Sequence, residues 1–489
     1  MIEFFKKNYP IIILAAVFAF VIIFSLVNLT LRPSLWLDEA LNIEIAHNFL
    51  LFKKLNILVA PGVFAEYPYM VSSTGYPVTV PLAGFFSVFG FGLAQARIYM
   101  LFWVLAALAA IFLIVRLIFG NLPAISAVLL TATLAPFYNN ALTTMGDAPG
   151  FVFLLLGFYF LAKKEKYFLT GLFFGLAIAS KPSLYLTLLL ALFVYILLLR
   201  KNIFFSLVKF AFGSVLPVLL HAFFVIPRAF FSITEWAKAL KYYQNPFIGS
   251  PSLTENIFNN LSQIPFNSTL AYFAFLIFII VFALSRDKDL SGAQRKMVLL
   301  FMVYGSFVFM YFLRSPGWLR YLFPLQILTF IFLFPSFSAI FKKLRQRFTR
   351  FLFIPADSLA LVLCILFALV QMFQLLFISN LAYSRHSATI RYQETAFFIN
   401  NHYPDASVGL IDLPEVAAFI TSDKKYHMIE DVGFIGENPL FLSTELLPTL
   451  IVFRTNDGEA LISSRWDVLE KNYFLVTMIA DNYAIFHRL

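Results

Sequence analysis

Long apolar segments separated by short polar ones fill the chain up to Ser379. A helix that crosses the hydrocarbon core of a membrane needs about 20 predominantly apolar residues. The pattern therefore predicts a polytopic α-helical membrane protein with eleven transmembrane helices. The predicted spans are residues 10–29, 94–119, 123–137, 148–162, 168–180, 183–199, 203–226, 269–284, 297–313, 323–340 and 351–379.

Clusters of Lys and Arg indicate which loops face the cytoplasm. Lys163, Lys164 and Lys166 follow the fourth predicted span, and five further cations at residues 342–350 follow the tenth. Short cytoplasmic loops carry an excess of positive charge, so this distribution places the N-terminus in the cytoplasm and the C-terminal segment outside it. We expect a multi-pass protein of the plasma membrane.

Two long extracytoplasmic loops are predicted, at residues 30–93 and 227–268. Apolar residues repeat at helical spacing over residues 40–55, which predicts a helix lying on the membrane surface. Two prolines interrupt residues 68–92, whose apolar part is short. We predict that this segment is re-entrant or interfacial and does not span the membrane.

The composition becomes that of a soluble protein after the last span, which divides the chain into a transmembrane domain at 1–379 and an extracytoplasmic domain at 380–489. The pattern in the second part predicts a small α/β fold. Its predicted helices lie near 388–401, 414–421 and 458–471, and its predicted strands at 407–412, at 450–454 and as a pair within 473–488.

Composition supports this assignment and excludes several functions. Hydrophobic residues make up 61% of the chain and charged residues 13%, against about a quarter charged in soluble domains. The net charge of +10 follows the membrane topology, so we expect membrane lipids and no nucleic acid as partners. The single cysteine, Cys364, excludes an intrachain disulfide and a cysteine zinc cluster.

Charged residues beside the extracytoplasmic ends of short helices are the candidates for chemistry. Asp38 and Glu39 follow the first span, and Asp147 and Lys181 stand at the ends of short spans. The span at 168–180 would be about 20 Å long, whereas the hydrocarbon core is about 30 Å thick. Asp147 and Lys181 are therefore predicted to lie below the outer membrane surface, in a cavity where charged residues are usually functional.

Each of these residues has a structural alternative. Asp38 could cap a helix, Glu39 could favour a helix N-terminus, and Asp147 suits a helix start. Lys181 could extend to the headgroups. Arg320 with Tyr321, and Arg97 at the start of the second span, suit a phosphate group or an interfacial anchor equally. A divalent ion held by Asp38, Glu39 and Asp147 stays open, and no cofactor is certain.

Five short motifs occur in a particular order along the chain. They are Trp-Leu-Asp-Glu-Ala at 36–40, Thr-Gly-Tyr-Pro at 74–77, Gly-Asp-Ala-Pro at 146–149, Ser-Lys-Pro at 180–182 and Arg-Tyr-Leu-Phe-Pro at 320–324. Their order resembles that of the GT-C membrane glycosyltransferases. The likeness is to the protein O-mannosyltransferase and lipid A aminoarabinose transferase type, and it covers the first 200 residues best.

The resemblance implies a GT-C fold and an inverting transfer of a hexose or pentose from a polyprenyl phosphate to a hydroxyl of a glycan, lipid or protein, at the extracytoplasmic face. Asp38 or Glu39 would then be the catalytic base, and Asp147 would position the acceptor or a metal ion. Lys181 and Arg320 would hold the carrier phosphate. The full set predicted to bind substrate or donor phosphate is Asp147, Lys181, Arg320, Tyr321 and Arg97.

Two other classes of function are weighed against this one. A transporter or flippase for lipid-linked glycans usually has two related halves and helices interrupted at the midplane. The chain shows neither, and its charged candidates concentrate at one membrane face. In a third interpretation the C-terminal domain is a binding module, but that domain carries no recognisable binding motif.

Overall fold

The computed structural model shows a mostly helical protein with a small C-terminal sheet. The residues it describes are 2–164, 166–199, 203–226, 232–244, 252–347, 354–384, 387–429, 444–455, 466–479 and 482–489.

Helices form most of the chain up to residue 402. They are α1 (Ile2–Leu26), α2 (Leu37–Phe52), α3 (Pro68–Val71), α4 (Tyr76–Phe89), α5 (Leu93–Phe119), α6 (Asn121–Ala132), α7 (Ala135–Ala141), α8 (Asp147–Lys164), α9 (Tyr167–Ser180), α10 (Pro182–Tyr185), α11 (Thr187–Leu199), α12 (Ile203–Val225), α13 (Ile233–Gln244), α14 (Leu253–Gln263), α15 (Ser268–Ser285), α16 (Gly292–Arg314), α17 (Phe323–Arg347), α18 (Ala356–Ser384) and α19 (Ser387–His402). A hairpin of β1 (Leu58–Ala60) and β2 (Val63–Phe64) follows α2, and a 3-10 turn (Leu319–Leu322) precedes α17.

Nine predicted spans each coincide with one helix, the span at 183–199 covers α10 and α11, and the span at 123–137 covers the pair α6–α7, which is bent by 72°. In the described residues, six helices are long and apolar enough to cross a membrane, or seven if the bent pair counts as one span. The multi-pass architecture is therefore confirmed, whereas the number eleven is not. The remaining apolar helices are shorter, among them α4 and α9.

Glycines allow the closest helix contact in the transmembrane part. A Cβ atom on Gly171 of α9 would lie 2.1 Å from the carbonyl oxygen of Phe210 on α12. A Cβ atom on Gly213 of α12 would lie 2.1 Å from the carbonyl oxygen of Phe168. Small residues let the backbones of membrane helices approach in this way. The contact fixes the position of α9, whose C-terminal end carries Lys181.

Helix α2 differs from its prediction in one respect. A helix does form there, but all residues from Glu39 to Asn48 are buried in the protein. A helix lying on the membrane would expose one face, so the surface location predicted for residues 40–55 is wrong. Residues 68–92 form α3 and the apolar α4, whose 14 residues extend about 21 Å. Their re-entrant or interfacial location stays a prediction.

The C-terminal α/β region, residues 387–489, contains a five-stranded mixed sheet in the order β4-β3-β5-β7-β6. Strand β3 is parallel to both β4 and β5, and the two remaining pairs are antiparallel. The predicted strands are confirmed, and β4 was not foreseen. Residues 458–465 of the predicted third helix lie outside the described residues. The elements are β3 (Val408–Ile411), α20 (Pro414–Ala417), β4 (Lys425–Met428), a 3-10 turn (Thr444–Leu446), β5 (Leu450–Arg454), α21 (Trp466–Asn472), β6 (Tyr473–Ile479) and β7 (Tyr483–Arg488).

Candidate active site

The two adjacent carboxylates lie in the first turn of α2, where the helix dipole stabilises a negative charge. The residue that precedes the helix is Trp36, and no side chain caps the helix. Asp38 is therefore not an N-cap. Consecutive helical residues point about 100° apart, and Asp38 and Glu39 accordingly meet different arginines.

Glu39 points into the protein and binds Arg97. The guanidinium donates to both carboxylate oxygens, at 2.9 and 2.7 Å, and both side chains are fully buried. Arg97 also donates to the Leu29 carbonyl at 2.8 Å, and the Thr144 amide donates to Glu39 at 3.2 Å. The sequence predicted that Arg97 binds the donor phosphate, but Arg97 has no exposed surface. The pair joins α2 to α5 and to the loop before α8.

Asp38 is partly exposed and binds Arg320. The Arg320 Nη1 atom donates to the carboxylate at 3.0 Å. The side chain of Arg320 is 16% exposed and that of Asp38 is 23% exposed. The guanidinium carbon lies 4.5 Å from the ring centre of Trp36 and 4.7 Å from that of Trp318. These cation–π contacts orient the group, and its buried Nε atom has no hydrogen-bond partner. Tyr321 is buried and stacks on Trp318.

Asp147 and Lys181 lie next to this pair at two helix ends. Helix α8 begins at Asp147, and Lys181 occupies the break between α9 and α10. Both residues are 2% exposed, and each interacts electrostatically with the other, with Asp38 and with Arg320. The structure thus brings four of the predicted site residues together.

Some polar atoms in this group have no partner among the described residues. The Oδ2 atom of Asp147 and the Oγ1 atom of Thr144 are buried without a hydrogen bond. The Lys181 ammonium group forms no direct hydrogen bond or ion pair with a described residue. Buried polar groups normally have partners, and orphaned ones call for an explanation. A ligand with both a negative charge for Lys181 and hydroxyl donors for Asp147 would supply the missing contacts.

Two motif glycines explain how the recessed charges are held. The Gly75 amide donates to the Ser180 carbonyl at 3.0 Å. A Cβ atom on Gly75 would lie 1.8 Å from the Ala179 carbonyl oxygen, and one on Gly146 would lie 1.9 Å from that of Ser180. Only glycine permits such an approach. The motifs at 74–77 and 146–149 therefore converge on the Ser-Lys-Pro break that carries Lys181.

Asn42 and Thr74 belong to the same network and were not foreseen. Asn42 Nδ2 donates to the Thr144 carbonyl at 2.9 Å and to Thr74 Oγ1 at 3.0 Å. Thr74 Oγ1 also accepts from the Gly146 amide at 3.0 Å. Asn42 is four residues beyond Asp38, and this spacing places the two on adjacent turns of one helix face. That spacing is the one sequence signal that could have identified Asn42.

We predict that Gly146→Ala destabilises the protein by about 1–3 kcal/mol or more. This is the usual range for an extra carbon in a tightly packed site. Thermal unfolding of the detergent-purified protein, followed by tryptophan fluorescence, measures the effect. The matched control is Gly84→Ala in α4, where an added Cβ has no neighbour within 4 Å. An unchanged unfolding temperature for Gly146→Ala would show that the two backbones are not packed as described.

The residues do not fit the divalent cation that the sequence left open. Among the described residues, no group of three or more His, Cys, Asp or Glu side chains is arranged to hold a metal ion. Glu39 is bound by Arg97, and Asp38 by Arg320.

Comparison with known proteins places this arrangement in a familiar fold. Residues 78–226, less than half of the chain, match the family described as dolichyl-phosphate-mannose-protein mannosyltransferase. A search of curated protein sequences finds no match.

Solved structures resemble the chain over nearly its whole length. ArnT from Cupriavidus metallidurans bound to undecaprenyl phosphate has a TM-score of 0.61 and 14% identity, covering 99% of this chain and 98% of that one. The oligosaccharyltransferase AglB from Archaeoglobus fulgidus, in complex with an inhibitory peptide and a dolichol-phosphate, has a TM-score of 0.55 and 14% identity, covering 97% and 74%. At this identity the likeness shows the fold. The chain has the fold of the GT-C membrane glycosyltransferases, as its motifs predict.

Proposed function

We propose that this protein transfers a hexose or pentose from a polyprenyl-phosphate carrier to a hydroxyl acceptor at the extracytoplasmic face of the plasma membrane. The N-terminus would lie in the cytoplasm and the C-terminal α/β region outside it. The observation that carries the proposal is the group of Asp38, Arg320, Asp147 and Lys181, in which a partly exposed carboxylate lies beside recessed cations.

The donor class is supported by charge and by the fold. Among the described residues, Lys181 forms no direct hydrogen bond or ion pair and the buried Nε atom of Arg320 has no hydrogen-bond partner, so both can bind a phosphate. ArnT and AglB, which share the fold, are described in complex with undecaprenyl phosphate and dolichol-phosphate. An apolar cavity of about 410 Å³ adjoins Leu322, two residues from Arg320, and is lined mainly by Leu, Ile and Phe. Its lining suits an isoprenoid chain.

Asp38 is the better candidate for the catalytic base. Glu39 is fully buried and bound by Arg97 and the Thr144 amide, whereas the side chain of Asp38 is 23% exposed. In the proposed step Asp38 removes the proton of the acceptor hydroxyl as its oxygen attacks the anomeric carbon. The bond from that carbon to the phosphate oxygen breaks, and the sugar inverts its configuration.

The leaving group is the polyprenyl phosphate, whose negative charge grows as the bond breaks. Lys181 and Arg320 stabilise this charge in a site with little water, where fixed cations act most strongly. The Asp147 carboxylate, with its free Oδ2 atom, orients the acceptor hydroxyl. Tyr321 and Trp318 hold Arg320 in place. Arg97 has a structural role in this proposal.

The proposal is tested with membranes that contain the protein and a panel of radiolabelled polyprenyl-phosphate sugars. We expect one or more donors to lose the label to a more polar product and to release polyprenyl phosphate. Membranes without the protein are the control. Label that crosses proteoliposome membranes while it remains on its carrier, with no transfer from any donor, would support the flippase alternative and contradict the proposal.

A further inference from the structure

Helix α2 carries Asp38, the candidate base, and Asn42, a member of the hydrogen-bond network beside it. The C-terminal α/β region covers this helix. Ala418, at the end of α20, packs in one apolar cluster with Ala40 and Ile43 of α2. Two polar contacts reinforce this packing, one before α2 and one in its middle.

The contact in the middle of α2 is a fully buried ion pair. The Lys425 ammonium group of β4 lies 3.0 Å from the Glu44 carboxylate, and the side chains are 0% and 2% exposed. Lys425 also donates to the carbonyls of Ala417 and Ile420 and lies 4.2 Å from the ring centre of Phe91. Removing one partner of a buried pair leaves an uncompensated charge. Glu44 is therefore tied to the C-terminal region.

The contact before α2 uses a threonine of α19. Thr389 Oγ1 accepts from the Leu35 amide at 3.2 Å and lies 3.2 Å from the Ser34 hydroxyl. Thr389 is fully buried. Leu35 is three residues before Asp38, and Glu44 is six residues after it, so the two contacts bracket the carboxylate.

A third contact between α2 and the C-terminal region, made by a histidine, is weaker than the other two at neutral pH. His47 lies 3.5 Å from Asp423, whose side chain is 57% exposed. Burial and then the nearby Lys425 lower the pKa of His47 to about 4, against the opposing effect of Glu44. The imidazole is therefore neutral near pH 7, and the contact is not an ion pair there.

We propose that the C-terminal α/β region clamps α2 and that Lys425 is a positioning residue for Asp38. The proposal rests on the proposed function. Arg320 and Lys181, which would bind the donor phosphate, lie outside α2, so loosening α2 displaces Asp38 from the acceptor hydroxyl while donor binding persists. A displacement of about 1 Å can lower a rate about 100-fold.

Kinetics of Lys425→Met test the clamp, with Lys424→Met as the matched control because Lys424 is exposed. We expect kcat to fall about 100-fold, while the KM for the donor changes by less than about twofold. Lys424→Met should keep both values. An unchanged kcat for folded Lys425→Met protein would overturn the proposal, as would a raised KM with kcat unchanged.

A disulfide between α19 and the segment before α2 provides a rescue. The parent protein carries Cys364→Ala, since Cys364 is the only native cysteine, and Ser34→Cys with Thr389→Cys places two thiols where hydroxyls are 3.2 Å apart. We expect oxidation to restore kcat in the Lys425→Met background and reduction to lower it again. Oxidised protein that stays slow would contradict the clamp.

The yield of this disulfide under limiting oxidant tests the clamp without any sugar transfer. We expect a lower yield with Lys425→Met than with Lys424→Met. Glu44→Gln/Lys425→Met, which leaves no buried unpaired charge, serves if Lys425→Met does not fold, and its yield should also fall. Equal yields would overturn the clamp, whereas absent transfer by wild-type protein would count against the proposed function alone.

Discussion

Asp38→Asn protein is expected to fold and to lose sugar transfer by about 1000-fold, within the usual contribution of a general base. Asparagine has nearly the same shape and can still accept a hydrogen bond from Arg320, but it cannot remove a proton from the acceptor. Initial rates with the donor identified from the panel measure the loss, and the KM for the donor should change little.

Glu39→Gln distinguishes the two adjacent carboxylates. If Asp38 is the base, Glu39→Gln protein that folds should keep a substantial rate. The side-chain amide oxygen can still accept from Arg97 Nε and from the Thr144 amide, whereas the bond from Arg97 Nη2 and the negative charge are lost. Full activity of Asp38→Asn together with loss of activity in folded Glu39→Gln would assign the base to Glu39.

Arg97→Met is expected to prevent accumulation of folded protein. The Glu39 carboxylate would remain buried without its cation, and breaking a buried pair in this way costs about 3–5 kcal/mol. That is a large part of the total stability of about 5–15 kcal/mol typical of a folded protein. The yield of monodisperse protein after size-exclusion chromatography in detergent measures the effect.

Two further variants isolate the charge effect at Arg97. Arg116→Met removes an exposed arginine from the same helix and should leave the yield unchanged. Glu39→Met/Arg97→Met removes both charges, and an apolar replacement of a buried pair is often tolerated. We expect the double variant to recover folded protein. Arg97→Met protein obtained at the wild-type yield would contradict a structural role for the pair.

The helices could be predicted from the sequence because their signal is local. Long apolar runs determine where a chain can enter a membrane, and the observed helices coincide with those runs. The location of α2 could not be predicted in the same way. Its apolar spacing suits a membrane surface, but Ala418 and Lys425, nearly 400 residues further on, cover it.

The members of the candidate site could be identified from the sequence, whereas the pairs that they form could not. Asp38, Asp147 and Lys181 stand out because charges at the ends of short apolar helices are rare. Nothing in the order of residues indicates that Arg97 binds Glu39 and that Arg320 binds Asp38. Each arginine lies next to an apolar segment, and which carboxylate it binds depends on how α5 and the 3-10 turn before α17 pack around α2.

The most direct test of an anion site at Lys181 and Arg320 compares the binding of a polyprenyl phosphate with that of the uncharged polyprenol. This comparison requires neither the sugar nor the acceptor to be known. We expect wild-type protein to prefer the phosphate, and Lys181→Met to reduce this preference by about 10–100-fold, the usual worth of a hydrogen bond to a charged group. Equal affinities of wild-type protein for the two lipids, or an undiminished preference in folded Lys181→Met protein, would contradict the account.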